Sequence, residues 1–355
     1  MGIFDLFKKK EFKPKGSKGF HEVSISITRL TKESVQVTFE IPSELKNMFE
    51  FIPGQYVNVE VFLNGKNQRR SYSICSGKNE ALSIAVKAID KGLVSNWFNS
   101  EAVSGDVIHI SKPEGGFHLT SEQKNVVAIA AGSGITPILS IAKSLEGNGN
   151  LNLFFGNQTT EKSIFLNELK ALSCVKGTYY LSQEQKEGYK SGRITKEHFT
   201  EEIKANLEIL KADCFLICGP EGLINDTKDV LKFFGVQDSK IKFELFTTPT
   251  AAPETKKEMN FKGKSQIKVM LDHEITSFEM QVPGGTILEE VEKSGLDVPY
   301  SCRGGVCSSC KAKVLEGDVA MKLNYSLTDE EVAKGFVLTC QSIPQSEKVT
   351  ISFDE

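Results

Sequence analysis

No stretch of this 355-residue sequence approaches the roughly 20 consecutive apolar residues that a membrane-spanning helix needs, so a transmembrane segment is not expected. Neither sign of charge is in excess. With 43 Lys and Arg against 46 Asp and Glu, the net charge of -3 gives no global attraction to nucleic acid or to an anionic membrane. Eight cysteines are too few for a dense disulfide scaffold, and the five histidines form no close ligand pair. No G-x-S-x-G elbow is present. Gly77-Lys78 is followed by Asn79, and Glu258 stands where a phosphate loop ending at Gly263-Lys264-Ser265 would need its first glycine, so hydrolase and ATPase chemistry find no support. The opening MGIFDLFKKK has too short an apolar patch, with its positive charges on the wrong side, for a signal peptide, and a cytoplasmic protein is expected.

What is present is ordinary for a globular chain, 39% hydrophobic and 25% charged, and long enough for two or three domains. Residues 1–20 carry a charge of +4, lack apolar surface to offset ordering entropy, and are expected as a flexible tail. Over 21–120, short alternating runs (HEVSISITR, SVQVTFEI, QYVNVEVFL, RRSYSIC, ALSIAVKA, VIHIS) predict an antiparallel β-barrel interrupted by one helix, VSNWFNS. Over 121–248, buried strands alternate with helical segments, predicting a doubly wound α/β parallel sheet. The polar, aperiodic stretch 249–264 reads as a linker, and 265–355 as a third, α+β unit, acidic with a charge of -6 over 264–355.

That third unit contains Cys302-Arg-Gly-Gly-Val-Cys307-Ser-Ser-Cys310, with Cys340 thirty residues on. Three thiolates on one loop can wrap two irons, and Gly304 and Gly305 let backbone N–H groups approach the sulfurs. A zinc site or a group of free thiols is the competing reading, although zinc usually takes two close ligand pairs and only Cys307 and Cys310 form one. Cys75, Cys174 and Cys214 read as buried small side chains.

In the first unit, Arg70-Ser71-Tyr72-Ser73 lies on a strand whose alternation sends Arg70 and Tyr72 to one face and Ser73 to the other. Gly92-Leu93-Val94-Ser95 opens the short helix, whose exposed N–H groups suit a phosphate. The second unit begins with a strand, then Gly132-Ser-Gly134-Ile-Thr136-Pro137 and a helix, a turn that admits a pyrophosphate, with Pro137 at the third glycine of the usual dinucleotide fingerprint. Cys218-Gly219-Pro220 ends a later strand at the carboxyl edge, where open parallel sheets bind ligands. Taken singly, Arg70 could be a solvated strand residue, Tyr72 a core aromatic and Cys218 a buried strand end.

Taken in order, with Pro53-Gly54-Gln55-Tyr56 and Pro113-Glu-Gly-Gly116-Phe117, these motifs resemble the ferredoxin–NADP reductase superfamily. The cysteine segment and LTDEEVAKGFVLTCQS (327–342) resemble a plant-type [2Fe–2S] ferredoxin of the β-grasp type. The resemblance implies that Arg70 pairs with the FAD pyrophosphate, Tyr72 stacks on the isoalloxazine, Ser73 bonds near flavin N5, and Gly92 to Ser95 with Gly116 complete the FAD site. It implies NADH or NADPH on Gly132, Gly134, Thr136, Pro137, Gly219 and Pro220, Cys218 against the reacting carbon, Phe246 at the flavin face, and the cluster on Cys302, Cys307, Cys310 and Cys340. Relatives that use NADPH commonly carry Arg where Asn157-Gln158 and Ser182-Gln183 stand here; Arg193 or Lys162 could substitute, and both coenzymes stay open. The domain order resembles reductase components of bacterial multicomponent oxygenases, implying two electrons from NAD(P)H passed singly through the cluster to a di-iron oxygenase in another chain. A general electron-carrier reductase, or an iron–sulfur redox sensor or scaffold, are the alternatives.

Overall fold

The structure, a computed structural model, describes residues 16–246 and 261–355. Most of the expected tail and linker lie outside these residues. The described ends belong to structure instead: Ser17 hydrogen-bonds Glu60 through its backbone N–H (2.9 Å) and its hydroxyl (2.5 Å), and strands begin at Phe20 and at Gly263. Among the described residues no helix is long and apolar enough to cross a membrane.

The first unit is a six-stranded antiparallel sheet of β1 (Phe20–Thr31), β2 (Ser34–Glu40), β3 (Tyr56–Leu63), β4 (Lys66–Ser73), β5 (Ser83–Lys87) and β6 (Val107–Ser111), in the order β4-β3-β6-β1-β2-β5. Its outer strands meet through an Ile74–Ile84 bridge and a Cys75 N–H to Ser83 carbonyl hydrogen bond of 2.9 Å, which closes the sheet into the expected barrel. Strand alternation sends Val35, Val37 and Phe39, then Val57, Val59 and Val61, into the core. The helix α1 (Leu93–Ser100) adds Val94 and Phe98. Each such side chain contributes about 1.5–3 kcal/mol when fully buried.

The second unit is an all-parallel sheet of β7 (Asn125–Ala131), β8 (Asn150–Asn157), β9 (Val175–Leu181), β10 (Lys190–Ser191), β11 (Cys214–Cys218) and β12 (Ile241–Glu244), in the order β10-β9-β8-β7-β11-β12. Both faces are covered, so successive residues go to opposite cores: Val126, Ala128 and Ala130 pack towards α2 (Ile135–Leu145), while Val127 and Ile129 pack towards the side of α4 (Lys196–Ala205) and α5 (Glu221–Phe233). After β8 the helical segment 163–172 forms only α3 (Leu166–Ala171), because Phe165 takes a left-handed φ of 60° and delays its start. The chain runs outward from β7 through β8 and β9 and then returns to lay β11 on β7's other side. That reversal opens a crevice beyond the carboxyl ends of β7 and β11.

The third unit has the strands β13 (Gly263–Leu271), β14 (Glu274–Val282), β15 (Lys311–Glu316), β16 (Val319–Met321), β17 (Phe336–Leu338), β18 (Ser342–Pro344) and β19 (Lys348–Ser352). Five of them form the sheet β14-β13-β19-β15-β17, with β13 and β19 parallel, and β16 pairs β18 separately. The helix α6 (Ile287–Lys293) starts at a capping box of Thr286 and Glu289 and lays Ile287, Leu288 and Val291 on Ile267, Val269, Val349 and Ile351. A second capping box, Thr328 with Glu331, starts α7 (Asp329–Ala333).

Candidate functional site

The crevice of the parallel sheet is shaped by two backbone loops. After β7 the chain turns through Gly132 (φ 56°) and Gly134 into α2, whose first turn has no side-chain cap and therefore keeps N–H donors for a ligand. Thr136 donates its hydroxyl to the Ser133 carbonyl at 3.0 Å, and Pro137 sits in the first turn, where its missing N–H costs nothing. Gly134 lies against the end of β11: a Cβ added there would stand 2.2 Å from the Cys218 carbonyl oxygen. Only glycine permits that approach. Beyond Cys218, Gly219 and Pro220 lead into α5.

On β4 the expected alternation is present. Arg69, Ser71 and Ser73 face one way, towards β3 and the other two units, through Glu60, Asn58 and Glu244. Arg70 is exposed and spends one donor on the Arg69 carbonyl (2.7 Å), leaving most of its fork free. Tyr72 is half-buried and meets Phe98 of α1 edge to face, ring centroids 6.2 Å apart. Arg70 and Tyr72 thus share the side of α1, whose first turn at Gly92–Ser95 has no side-chain cap facing its N–H groups. Gly116 borders open space in its loop.

Ser73 and Cys218, far apart in sequence, are joined by Glu244 at the end of β12. Ser73 donates its hydroxyl to Glu244 Oε2 at 3.0 Å, and the β11–β12 register sets Cys218 beside Glu244. Crowding by protein pushes the half-buried Glu244 carboxyl up to about 7, against the hydrogen bond from Ser73 and with help from Cys307. The Cys218 thiol is fully buried and lies well above its ordinary value, through burial and then the neighbouring Glu244. Phe246 is exposed at the edge of the described residues.

The four cysteines of the third unit come together. The thiols of Cys302 and Cys307, of Cys302 and Cys340, and of Cys340 and Cys310 lie close enough to shift one another's ionisation. The loop that carries three of them coils through left-handed backbone at Arg303 (φ 53°), Gly305 (φ 74°) and Ser308 (φ 57°). This coiling aims the Gly304 N–H at Cys302 Sγ (3.3 Å) and the Cys302 N–H at Cys307 Sγ (3.4 Å). At Gly305 a Cβ would stand 3.2 Å from the Leu323 carbonyl oxygen, so that kink suits glycine twice over. Cys340, lowered by its bond to Cys302 but raised by Cys310 and by burial, is pushed up to about 12. Crowded thiols at Cys302, Cys307 and Cys340, all raised above the ordinary value, call for cationic metal to hold them as thiolates. Among the described residues no group of His, Cys, Asp and Glu converges as a single-ion site. The C-x4-C-x2-C spacing with a distant fourth cysteine suits a two-iron core.

The barrel and the cysteine loop touch directly. Tyr56 donates its hydroxyl to the Cys307 carbonyl, and Asn58 Nδ2 donates to Ser309 Oγ at 3.1 Å. Val306 and Tyr325 also pack on the core of the parallel-sheet unit. Residues from all three units therefore meet around Ser73, Glu244 and Cys307. The sequence pattern singled out Ser73 and Cys307, but Tyr56, Asn58 and Arg69 become visible as interface residues only in the fold.

Residues 23–119 match the oxidoreductase FAD-binding domain, 128–229 the oxidoreductase NAD-binding domain, and 271–345 the 2Fe-2S iron-sulfur cluster binding domain. The chain is an oxidoreductase with FAD-, NAD- and [2Fe–2S]-binding domains. It belongs to the family of a 1,2-phenylacetyl-CoA epoxidase component from Escherichia coli (strain K12), to which it is 33% identical over 353 residues, covering 94% of this chain and 98% of that one. The 3-ketosteroid-9-alpha-monooxygenase ferredoxin reductase component of Rhodococcus rhodochrous is 28% identical over 361 residues, covering 96% and 98%. Among solved structures, phthalate dioxygenase reductase, described as a modular structure for electron transfer from pyridine nucleotides to [2Fe–2S], aligns with a TM-score of 0.59 at 25% identity over 94% of this chain and 98% of that one.

Proposed function

We propose that this chain is the reductase component of an oxygenase, taking electrons from NADH and delivering them through its [2Fe–2S] centre to a di-iron oxygenase carried by another chain, with an acyl-CoA epoxidase as the acceptor suggested by the Escherichia coli relative. The observation that carries this reading is the meeting of the three units at a single place: Ser73 donates to Glu244, and Tyr56, paired with Ser73 across β3 and β4, donates to the Cys307 carbonyl. Bound flavin converts a two-electron donor into single electrons that a [2Fe–2S] centre can take. The chain's own residues do the rest. Arg70 and the first turn of α1 hold the pyrophosphate, Tyr72 fixes the ring, the α2 turn receives the coenzyme, and the four cysteines hold the irons. None of the eight cysteines pairs in a disulfide, which fits a reducing cytoplasm.

The test is an anaerobic titration of the purified protein with NADH, read by flavin and iron–sulfur absorbance, followed by electron delivery to the oxygenase. Bleaching of both chromophores is expected; a cluster that stays oxidised while the flavin bleaches would reject the reading. A redox sensor would instead fail to turn over an artificial acceptor such as ferricyanide.

Two finer outcomes follow. Arg70→Ala removes a charged donor fork facing α1, and FAD is expected to bind about tenfold or more weakly, the scale of a lost charge-assisted bond; equilibrium dialysis that shows unchanged affinity would refute the assignment. NADH should be preferred to NADPH. The ribose 2′ position in such sheets lies past the second strand, where Gln158 and Gln183 stand side by side, joined by a Gln183 N–H to Gln158 carbonyl bond of 2.9 Å. Glu184 adds negative charge there, held by the Thr160 N–H at 2.6 Å, and Lys162 is occupied by Gln158 (3.0 Å) and Glu33 (3.4 Å). Gln158→Arg with Gln183→Arg is expected to raise kcat/KM for NADPH by about 10–100-fold, and a wild-type preference for NADPH would overturn the argument.

A further inference from the structure

We propose that Arg69 is a positioning residue that locks the cluster-bearing unit onto the flavin barrel and sets the register of the cysteine loop. Its side chain is 4% exposed and that of Glu60 is 1% exposed, so a charged pair is buried between two units. Arg69 Nε donates to Glu60 Oε2 at 2.7 Å, Nη2 to Asp297 Oδ1 at 2.7 Å and Nη1 to the Val298 carbonyl at 3.3 Å. The guanidinium also lies over Phe20 of the barrel (5.0 Å) and Tyr300 of the cluster unit (4.6 Å). Ser17 completes the carboxylate shell of Glu60.

A buried ion pair of this kind is a poor source of stability, since well-packed apolar residues of the same volume do as well or better; its best-attested use is to specify register. The arrangement suits that use. A planar fork with three different acceptors and an aromatic ring from each unit fits in one orientation only, which a lysine cannot reproduce. The residues it grips, Asp297, Val298 and Tyr300, immediately precede Cys302. Along the same seam Ser71 Oγ lies 2.9 Å from Ser301 Oγ, and Asn58 meets Ser309. Both ends of the three-cysteine loop are thus tied to β3 and to β4, the strand that carries Tyr72 and Ser73.

The inference rests on the electron-transfer reading above. Oxidation of one NADH to NAD⁺ releases two electrons and one proton, and a cluster that accepts one electron at a time requires two passages across this seam. Misplacing reacting groups by about 1 Å can cost on the order of a hundredfold in rate.

The experiment uses full-length holoprotein with two substitutions on opposite sides of the seam, Arg69→Lys on the barrel and Asp297→Asn on the cluster unit, with Asp297→Glu as the conservative variant. Flavin and iron contents and the rate of flavin reduction by NADH should match wild type. Reduction of the cluster in anaerobic stopped flow should slow by about tenfold or more, and the radius of gyration from X-ray scattering should rise; Asp297→Glu should restore both. Wild-type cluster reduction with wild-type scattering in both variants would overturn the proposal, as would loss of FAD in Asp297→Asn, a substitution made outside the barrel. Should Arg69→Lys not fold, Asp297→Asn decides alone. The underlying reading fails separately, by the wild-type cluster not accepting electrons from NADH.

Discussion

A Cys302→Ser protein is expected to purify with its flavin but without a [2Fe–2S] centre, to reduce ferricyanide with NADH at close to the wild-type rate, and to deliver no electrons to an oxygenase. Cys302 is central to the loop: its N–H points at Cys307 Sγ (3.4 Å), its sulfur accepts the Gly304 N–H at 3.3 Å, and its thiol is shifted by both Cys307 and Cys340. A serine hydroxyl would have to ionise to serve as a ligand and is a harder donor than iron–sulfur cores favour. Separation of the two activities follows from the cores. The barrel buries its own Val, Ile and Phe cluster, and the third unit buries another around Ile267, Val291 and Ile351, so loss of the irons leaves the flavin fold supported. Iron content, visible absorbance and the two acceptor assays measure the outcome together. Equal loss of ferricyanide reduction and oxygenase delivery would mean that the flavin and cluster units do not act as separable modules.

Much of this was legible in the sequence because it is encoded locally. Alternating runs such as SVQVTFEI became β2, and the buried run DCFLICG became β11, an interior strand of the parallel sheet, since each pattern states how many faces the strand buries. The cysteine spacing and the glycines at 132 and 134 likewise describe loops whose chemistry is contained in a few consecutive residues. Arg69 and Arg70 mark where that legibility stops. Period two puts them on opposite faces of β4, but nothing within the strand says which face meets a unit more than two hundred residues away, and the buried member proves to be Arg69. Glu60 is hidden for the same reason. In YVNVEVFL it has the look of a solvent-facing residue, and only Ser17 and Arg69, neither within the strand, account for its burial. The short strands β16, β17 and β18 carry three residues each, too few to show any period.

The second large effect is expected at Gly134. An added methyl would lie 2.2 Å from the Cys218 carbonyl oxygen and 2.6 Å from its carbon, and these are backbone atoms of a strand paired on both sides, to β7 and β12. Neither can withdraw without breaking the ladder, so the Gly132–Pro137 turn must move instead, tilting the first N–H groups of α2 away from the crevice. Gly134→Ala should therefore retain FAD and cluster while its dissociation constant for NADH rises about tenfold to a hundredfold. Two neighbours separate this steric cause from a general sensitivity of the unit. Gly132→Ala meets no atom within 4 Å but forces alanine to φ 56°, costing about 1–2 kcal/mol and giving a smaller loss. Gly222→Ala, in the first turn of α5, meets neither obstacle and should bind NADH normally. If Gly134→Ala binds NADH as tightly as Gly222→Ala does, the coenzyme does not rest on the α2 turn, and the reversal point between β7 and β11 is not its site.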